Sequence, residues 1–239
     1  MEKRIFSYFL FNKINKNFFR GALLNIDTLN MDTFDDYSLK LFSDFYLSLR
    51  NIKDVIKVDF KVYFYSIFPL SYNVDFMVWI VFDFENEDIL SLVNNEIFKI
   101  YLRVAGSLEL VDVLWGFTKP SVYSKASKSP QEIDPFDSRR KKFLTVYPFV
   151  KTPEWYLLKQ DTRQGMMNEH IRIGRQYPEI LQLLLYCFGL SNNEFVVVYE
   201  MDSIVLFDKL VYDLRQSEAR KYTLRDTPIY TGIYTDFGF

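Results

Sequence analysis

From Val58 to Phe68, the apolar residues Val58, Phe60, Val62, Phe64 and Phe68 alternate with Asp59, Lys61, Tyr63 and Tyr65, and the next run, Val74 to Phe84, is dense in aromatic and branched residues. A period of two lines one face of a pleated strand with apolar groups, and aromatic and β-branched side chains suit that surface. A chain with two such runs in succession must build a sheet and cover it. Leu39, Phe42, Tyr46 and Leu49 recur at helical spacing behind the cap candidates Asp35 and Asp36, and Ile89, Leu92, Val93, Ile97 and Ile100 do the same after the strands. With strands at Ile5 to Phe11 and Leu108 to Phe117, the first half is predicted as βαββαβ.

The second half starts again: a strand at Phe143 to Val150, a long helix from about Asp161, a strand at Glu194 to Glu200, a helix at Ser203 to Arg215 and a strand near Ile229 to Tyr234. Ile204, Phe207, Val211 and Leu214 give the later helix one apolar face, and Asp202 or Ser203 can cap it. Ser124 to Lys142 is rich in Ser, Lys, Pro and Asp and is predicted to be a linker. The expected organisation is an N-terminal half over 1–123, a polar linker over 124–142 and a C-terminal half over 143–239. Each half is an α+β unit with helices on one sheet face.

Charge excludes some partners. With 29 basic against 31 acidic residues there is no global field to attract nucleic acid or anionic lipid. The apolar stretch Ile5 to Phe11 is interrupted by Asn12, Lys13, Asn15 and Lys16 before a membrane span is complete. Cys187 has no internal disulfide partner and lies in the apolar run Leu183 to Leu190, so a buried thiol in a soluble cytoplasmic protein is expected. Nucleotide-binding glycine loops, the nucleophile elbow and C-x-x-C are absent from the sequence. One His and one Cys cannot supply a structural zinc site, which needs four nitrogen or sulfur ligands. A single axial ligand to a cofactor that brings its own four nitrogens remains open. The pair Glu87 and Asp88 suits a helix start, and the basic run Arg139 to Lys142 is a solvated strand entry or an anion site.

His170 is the only histidine. On a helix from about Asp161 to Tyr177, it shares one side with Met166, Ile173, Gly174 and Tyr177, which predicts a buried imidazole, a hydrogen-bonded core residue or a ligand. Gly165 and Gly174 each cost the helix about 1 kcal/mol relative to alanine, so a close approach by a flat group or another helix is expected there.

The segments Tyr147-Pro148-Phe149-Val150-Lys151, Trp155-Tyr156-Leu157-Leu158, Arg163, Met166-Met167 and Glu169-His170 occur in an order that resembles the chlorite-dismutase-like family, closest to the coproheme decarboxylases. Gly174-Arg175, Tyr177-Pro178, Gly189-Leu190, Glu200 with Asp202, Leu214-Arg215, Ser217-Glu218-Ala219 and Thr227-Pro228 to Gly232 continue the likeness over about the last hundred residues. The first half carries only a loose likeness around Pro120-Ser121-Val122-Tyr123. The resemblance implies two ferredoxin-like halves of the dimeric α/β-barrel type, with antiparallel sheets and outer helices. It also implies an iron porphyrin, heme b or coproheme, in the second half, and a homo-oligomeric ring, usually a pentamer.

Site roles are likewise implied by the resemblance. His170 would be the proximal iron ligand, and Glu218 would accept its other ring N–H. Arg215 would hold a porphyrin propionate in a forked contact. Tyr147 would carry the radical that attacks a propionate, with Lys151 beside it and Trp155 near the same edge. The distal position falls on Gln182 or Leu183, depending on a one-residue gap. Neither is arginine, which argues against chlorite degradation because no fixed cation would hold the anion. The implied activity is peroxide-driven oxidative decarboxylation of coproheme to heme. The alternatives are a non-catalytic heme carrier or sensor, and an α+β ring protein that binds no porphyrin.

Overall fold

The computed structural model describes residues 4–15, 31–123 and 129–236. The chain divides into two compact units, Met1–Val113 with Thr235–Phe239, and Leu114–Tyr234.

In the first unit, β1 (Arg4–Ile14) and β2 (Phe60–Ser66) both pair antiparallel with β3 (Phe76–Phe84), in the registers Phe6↔Phe82 and Phe60↔Phe82. The aromatic alternation therefore becomes a sheet with β3 at its centre, and Phe76 to Phe82 are buried throughout. Helices α1 (Met31–Arg50) and α2 (Glu87–Val104) supply Phe45, Leu49, Val93, Ile97 and Ile100 to the core. Tyr101 donates to Asn12 Oδ1 at 2.7 Å, tying α2 to β1. One helix start differs from expectation and one agrees, with its cap one residue earlier. α1 begins at Met31, so Asp35 and Asp36 lie within it, and α2 is capped by Asn86, whose Oδ1 accepts from the amides of Asp88 and Ile89. Glu87 and Asp88 fall in the first turn, where their charge favours the helix dipole. Leu92 is exposed because it lies off the stripe that meets the sheet.

In the second unit, β5 (Phe143–Lys151) lies between β7 (Phe195–Met201) and β9 (Tyr230–Tyr234), and β6 (Leu181–Tyr186) pairs with the far side of β7. β6 was not expected: its apolar run lacks alternation and is not distinguishable by period from a buried helical segment. The short β8 (Thr223–Arg225) joins the end of β5 across a bulge at Val150/Lys151. Strand β4 (Leu108–Phe117) runs through the unit boundary, and its last residue pairs with Tyr186 of β6. Gly116 is required there, since a Cβ would stand 2.9 Å from the Tyr186 carbonyl oxygen. Helix α5 (Ile204–Arg215), capped by Ser203, lays Leu206, Phe207, Leu210 and Leu214 over the sheet face that carries Tyr147, Val197 and Tyr199. Each unit is thus an antiparallel sheet with helices, as ferredoxin-like halves require.

The two compact units meet at Val113/Leu114, and the described part of the polar stretch, 129–142, packs within the second. Residues 124–128 lie outside the described residues, but Ile133 is 1% exposed and its amide donates to the Gln182 carbonyl at 3.0 Å. A buried anchor and a bridge to β6 make 129–142 part of the second unit. Composition marked the segment as polar but did not reveal one isoleucine that docks it. Among the described residues, no helix is long and apolar enough to cross a membrane.

Candidate functional site

The histidine helix is α4 (Gln160–Gly174), preceded by a short turn of helix α3 (Pro153–Leu157). It ends three residues before the predicted Tyr177, which turns into the core at 4% exposure. Gln131 fixes that end: its Nε2 donates to the carbonyls of Gly174, Tyr177 and Ile180. No residue of α4 is fully buried, and His170, Met166 and Ile173 are half-buried. His170 as a residue keeps some exposure, while its imidazole is largely enclosed. Among the described residues, no neighbouring atom stands within 4 Å of a Cβ built at Gly165 or Gly174, so packing against another described helix does not explain these glycines.

Burial and then the Lys151 ammonium lower the His170 pKa to about 4, against the opposing pull of Glu169. The imidazole is consequently neutral near pH 7, with a lone pair to give. Among the described residues it has no hydrogen-bond partner. Glu218 does not fill that role: on a 3-10 turn over Glu218–Tyr222, its exposed carboxylate pairs with Lys221 at 2.9 Å, and its amide donates to Glu169. A cation three residues ahead on a solvated turn takes the carboxylate, a competitor the expected pairing ignored.

Lys151 sits at the β5 bulge. Its Nζ donates to the Ala219 carbonyl at 3.2 Å and lies 4.3 Å from the centre of the Trp155 ring. Burial and then Arg220 lower the lysine pKa to about 8, opposed by Glu194. Trp155 is 3% exposed and packs against Tyr123 and Tyr222, so in the structure it is the floor under Lys151.

Tyr147 lies on the helix-covered face of β5, its ring 6.3 Å from that of Tyr199. Burial and then the Tyr199 phenol push its hydroxyl pKa well above the usual value; Asp226 pushes the same way and Arg215 opposes. Asp226 Oδ2 meets Arg220 at 2.5 Å and Arg215 at 3.9 Å. Direct contact joins Arg220 and Arg215 through Asp226, whereas the other candidates bear on one another only as charges that shift a pKa after burial has acted. Arg220 and Asp226 were not singled out from the sequence. Their nearest signal was their position flanking the Ser217-Glu218-Ala219 and Thr227-Pro228 segments.

Strand register separates the two distal candidates. Gln182 pairs with Tyr199 and Leu184 with Val197, placing Gln182 on the same face as Tyr147. Leu183 pairs with Val198 and is 3% exposed on the other face. Leu183 is therefore a core residue turned away from Tyr147, because adjacent strand residues point to opposite faces.

The basic run is paired. Arg139 meets Asp137, Arg140 meets Glu200 at 3.4 Å, and Lys141 meets Asp202 at 2.9 Å. A cavity of about 280 Å³ lined by Lys141, Glu179, Met201 and Asp202 among others contains none of the candidate residues.

The donor set fits an iron porphyrin: one neutral imidazole nitrogen with no hydrogen-bond partner among the described residues, and Lys151, Arg215 and Arg220 as cations of the same unit for ring carboxylates. Comparison with known proteins agrees with the sequence likeness. The chain is 27% identical over 170 residues to the coproheme decarboxylase of Mycolicibacterium smegmatis (strain ATCC 700084 / mc(2)155), covering 70% of each protein. Its fold resembles a variant of the chlorite dismutase of Candidatus Nitrospira defluvii, with a TM-score of 0.75, 18% identity and coverage of 97% and 92% of the two chains. The imidazole complex of that organism's chlorite dismutase gives a TM-score of 0.73 at 19% identity, covering 99% and 93%. The chlorite dismutase family model matches residues 44–235, which spans most of both units, and the chain belongs to that family.

Proposed function

We propose that the protein binds an iron porphyrin through His170 and oxidatively removes carboxyl groups from coproheme propionates, with peroxide as oxidant. The observation that carries this proposal is His170, the only histidine of a chain in the chlorite dismutase family, half-buried on α4 with no hydrogen-bond partner among the described residues. The coproheme decarboxylase named above supports the substrate class.

Bound iron would supply oxidising power derived from peroxide. Per propionate, the balance is one propionic acid and one peroxide giving one vinyl group, one carbon dioxide and two waters. His170 offers a neutral nitrogen to the iron. Arg215 and Lys151 orient a propionate by charge, and Tyr147 is the oxidisable group beside it. The raised pKa keeps the Tyr147 proton on its oxygen at rest. The proton would leave only with the electron, and the resulting phenoxyl would take hydrogen from the propionate chain. Gln182 would present an amide on the distal side.

A second reading, a carrier or sensor that keeps His170 without chemistry, is favoured by one observation. The Glu218 carboxylate is engaged with Lys221, so His170 lacks the partner that strengthens it as a ligand. Peroxide-driven conversion of coproheme, followed by mass, separates the two. Loss of carbon dioxide with mono- and divinyl products supports the enzyme, and peroxide consumption without loss of carboxyl groups supports the carrier.

A further inference from the structure

Tyr199 is a buried phenol that the proposed chemistry leaves without a task. It is 6% exposed on β7, and strand register sets it beside Tyr147. Thr145 pairs with Tyr199 and Tyr147 with Val197, so the two tyrosines are diagonal neighbours on one face of the sheet. Aromatic side chains reach one another across such a diagonal, and here the ring centres are 6.3 Å apart with planes 27° from parallel. The Tyr199 hydroxyl holds the Tyr147 proton through a hydrogen bond, and the same contact favours the ionised form of Tyr199. Phe207 of α5 packs on Tyr199, with ring centres 5.1 Å apart, and Leu210 belongs to the same cluster. Tyr147 itself keeps part of its surface open. The pair thus runs from a half-buried ring that a substrate can meet to a buried ring that it cannot.

We propose that Tyr199 is the redox partner of Tyr147: an oxidising equivalent that reaches Tyr147 and is not used there passes to Tyr199 and rests in the core. This rests on the role of Tyr147 proposed above, with peroxide as the source of the equivalent. In the transfer the Tyr199 O–H bond breaks and a Tyr147 O–H bond forms. One electron and one proton move together, so Tyr147 returns to a phenol and Tyr199 becomes the phenoxyl. The bond broken and the bond formed are of one kind, and no charge is created in surroundings where burial would penalise it. Tyr147 is left ready to react again, while the packing of Phe207 and Leu210 shields Tyr199 from solutes.

The test is freeze-quench electron paramagnetic resonance of the full chain, loaded with ferric protoporphyrin and mixed with peroxide. That porphyrin carries vinyl groups where coproporphyrin carries its reactive propionates, so decarboxylation does not consume the equivalent. Wild type should show two tyrosyl components. Tyr199→Phe keeps the ring and should lose one of them, whereas Tyr147→Phe should lose both because the transfer runs through Tyr147. Tyr212→Phe, at an exposed tyrosine of α5, should lose neither. An unchanged spectrum in Tyr199→Phe, or a Tyr199 component surviving in Tyr147→Phe, would overturn the transfer. The pairing is also read without porphyrin: in protein isotopically labelled at tyrosine Cζ, Tyr199→Phe should shift the Tyr147 resonance in the NMR spectrum, and no shift would overturn it. Failure of wild type to bind porphyrin while that shift is present would instead overturn the porphyrin proposal, and the transfer with it.

Discussion

Replacing Lys151 with methionine should stabilise the protein while impairing its proposed chemistry. The lysine pKa falls from 10.5 to about 8, chiefly because burial disfavours the ammonium and Arg220 repels it. That change corresponds to about 3 kcal/mol of disfavoured charge, and partial access of water to this half-buried group reduces it to about 1–2 kcal/mol. Methionine keeps the stem over the Trp155 and Phe149 rings and makes a favourable sulfur contact. The sign follows from proton counting. Below pH 8 both folded and unfolded chains carry the lysine proton, and between pH 8 and 10.5 the unfolded chain binds more protons, so wild-type stability rises with pH. Urea unfolding of wild type and Lys151→Met at pH 7, 9 and 10.5 should show a variant advantage at pH 7 that shrinks as pH rises. Other titrating groups, the tyrosines among them, act on both proteins and cancel in the difference. A variant less stable at pH 7, or a difference independent of pH, would refute the desolvation argument.

Tyr147→Phe should keep stability and porphyrin affinity within about 0.5–1.5 kcal/mol of wild type, the scale of one hydrogen bond, while coproheme decarboxylation is lost; decarboxylation at the wild-type rate would reduce Tyr147 to a packing residue. The porphyrin complex should release little oxygen from chlorite, since Gln182 offers no fixed cation, and oxygen evolution well above that of free heme would contradict the distal assignment. Leu183→Ala should cost about 2–5 kcal/mol in unfolding free energy without altering the porphyrin spectrum, whereas a spectral change with little loss of stability would reverse the placement of Gln182 and Leu183.

The strands and helices with strong periods were legible in the sequence. Val62, Phe64 and Phe60 alternate because β2 is sheet, and Val93, Ile97 and Ile100 recur because α2 meets that sheet along one stripe. β6 was not legible, because it carries leucine on its exposed face at Leu184 as well as on its buried face at Leu183 and Leu185, which hides the alternation. The docking of Ile133 depends on a single long-range contact that composition does not encode. At the site, sequence pointed to His170, Tyr147, Lys151 and Arg215, all of which fall in the second unit. It could not decide between Gln182 and Leu183, which differ only in strand face. Arg220 and Asp226 escaped notice because a carboxylate shared between two arginines arises from the turn after α5, not from any spacing. The role of Glu218 came from likeness, and in the structure its carboxylate pairs with Lys221 on the same turn.

Central to the proposal is His170, the only histidine in the sequence, whose imidazole is neutral near pH 7 and has no hydrogen-bond partner among the described residues. The direct measurement is titration of the purified protein and of His170→Ala with ferric coproporphyrin, followed by absorption spectroscopy. Wild type should saturate with a histidine-ligated spectrum, and the variant should give none at any concentration at which it remains folded. An identical spectrum and affinity in His170→Ala would contradict the assignment of the site.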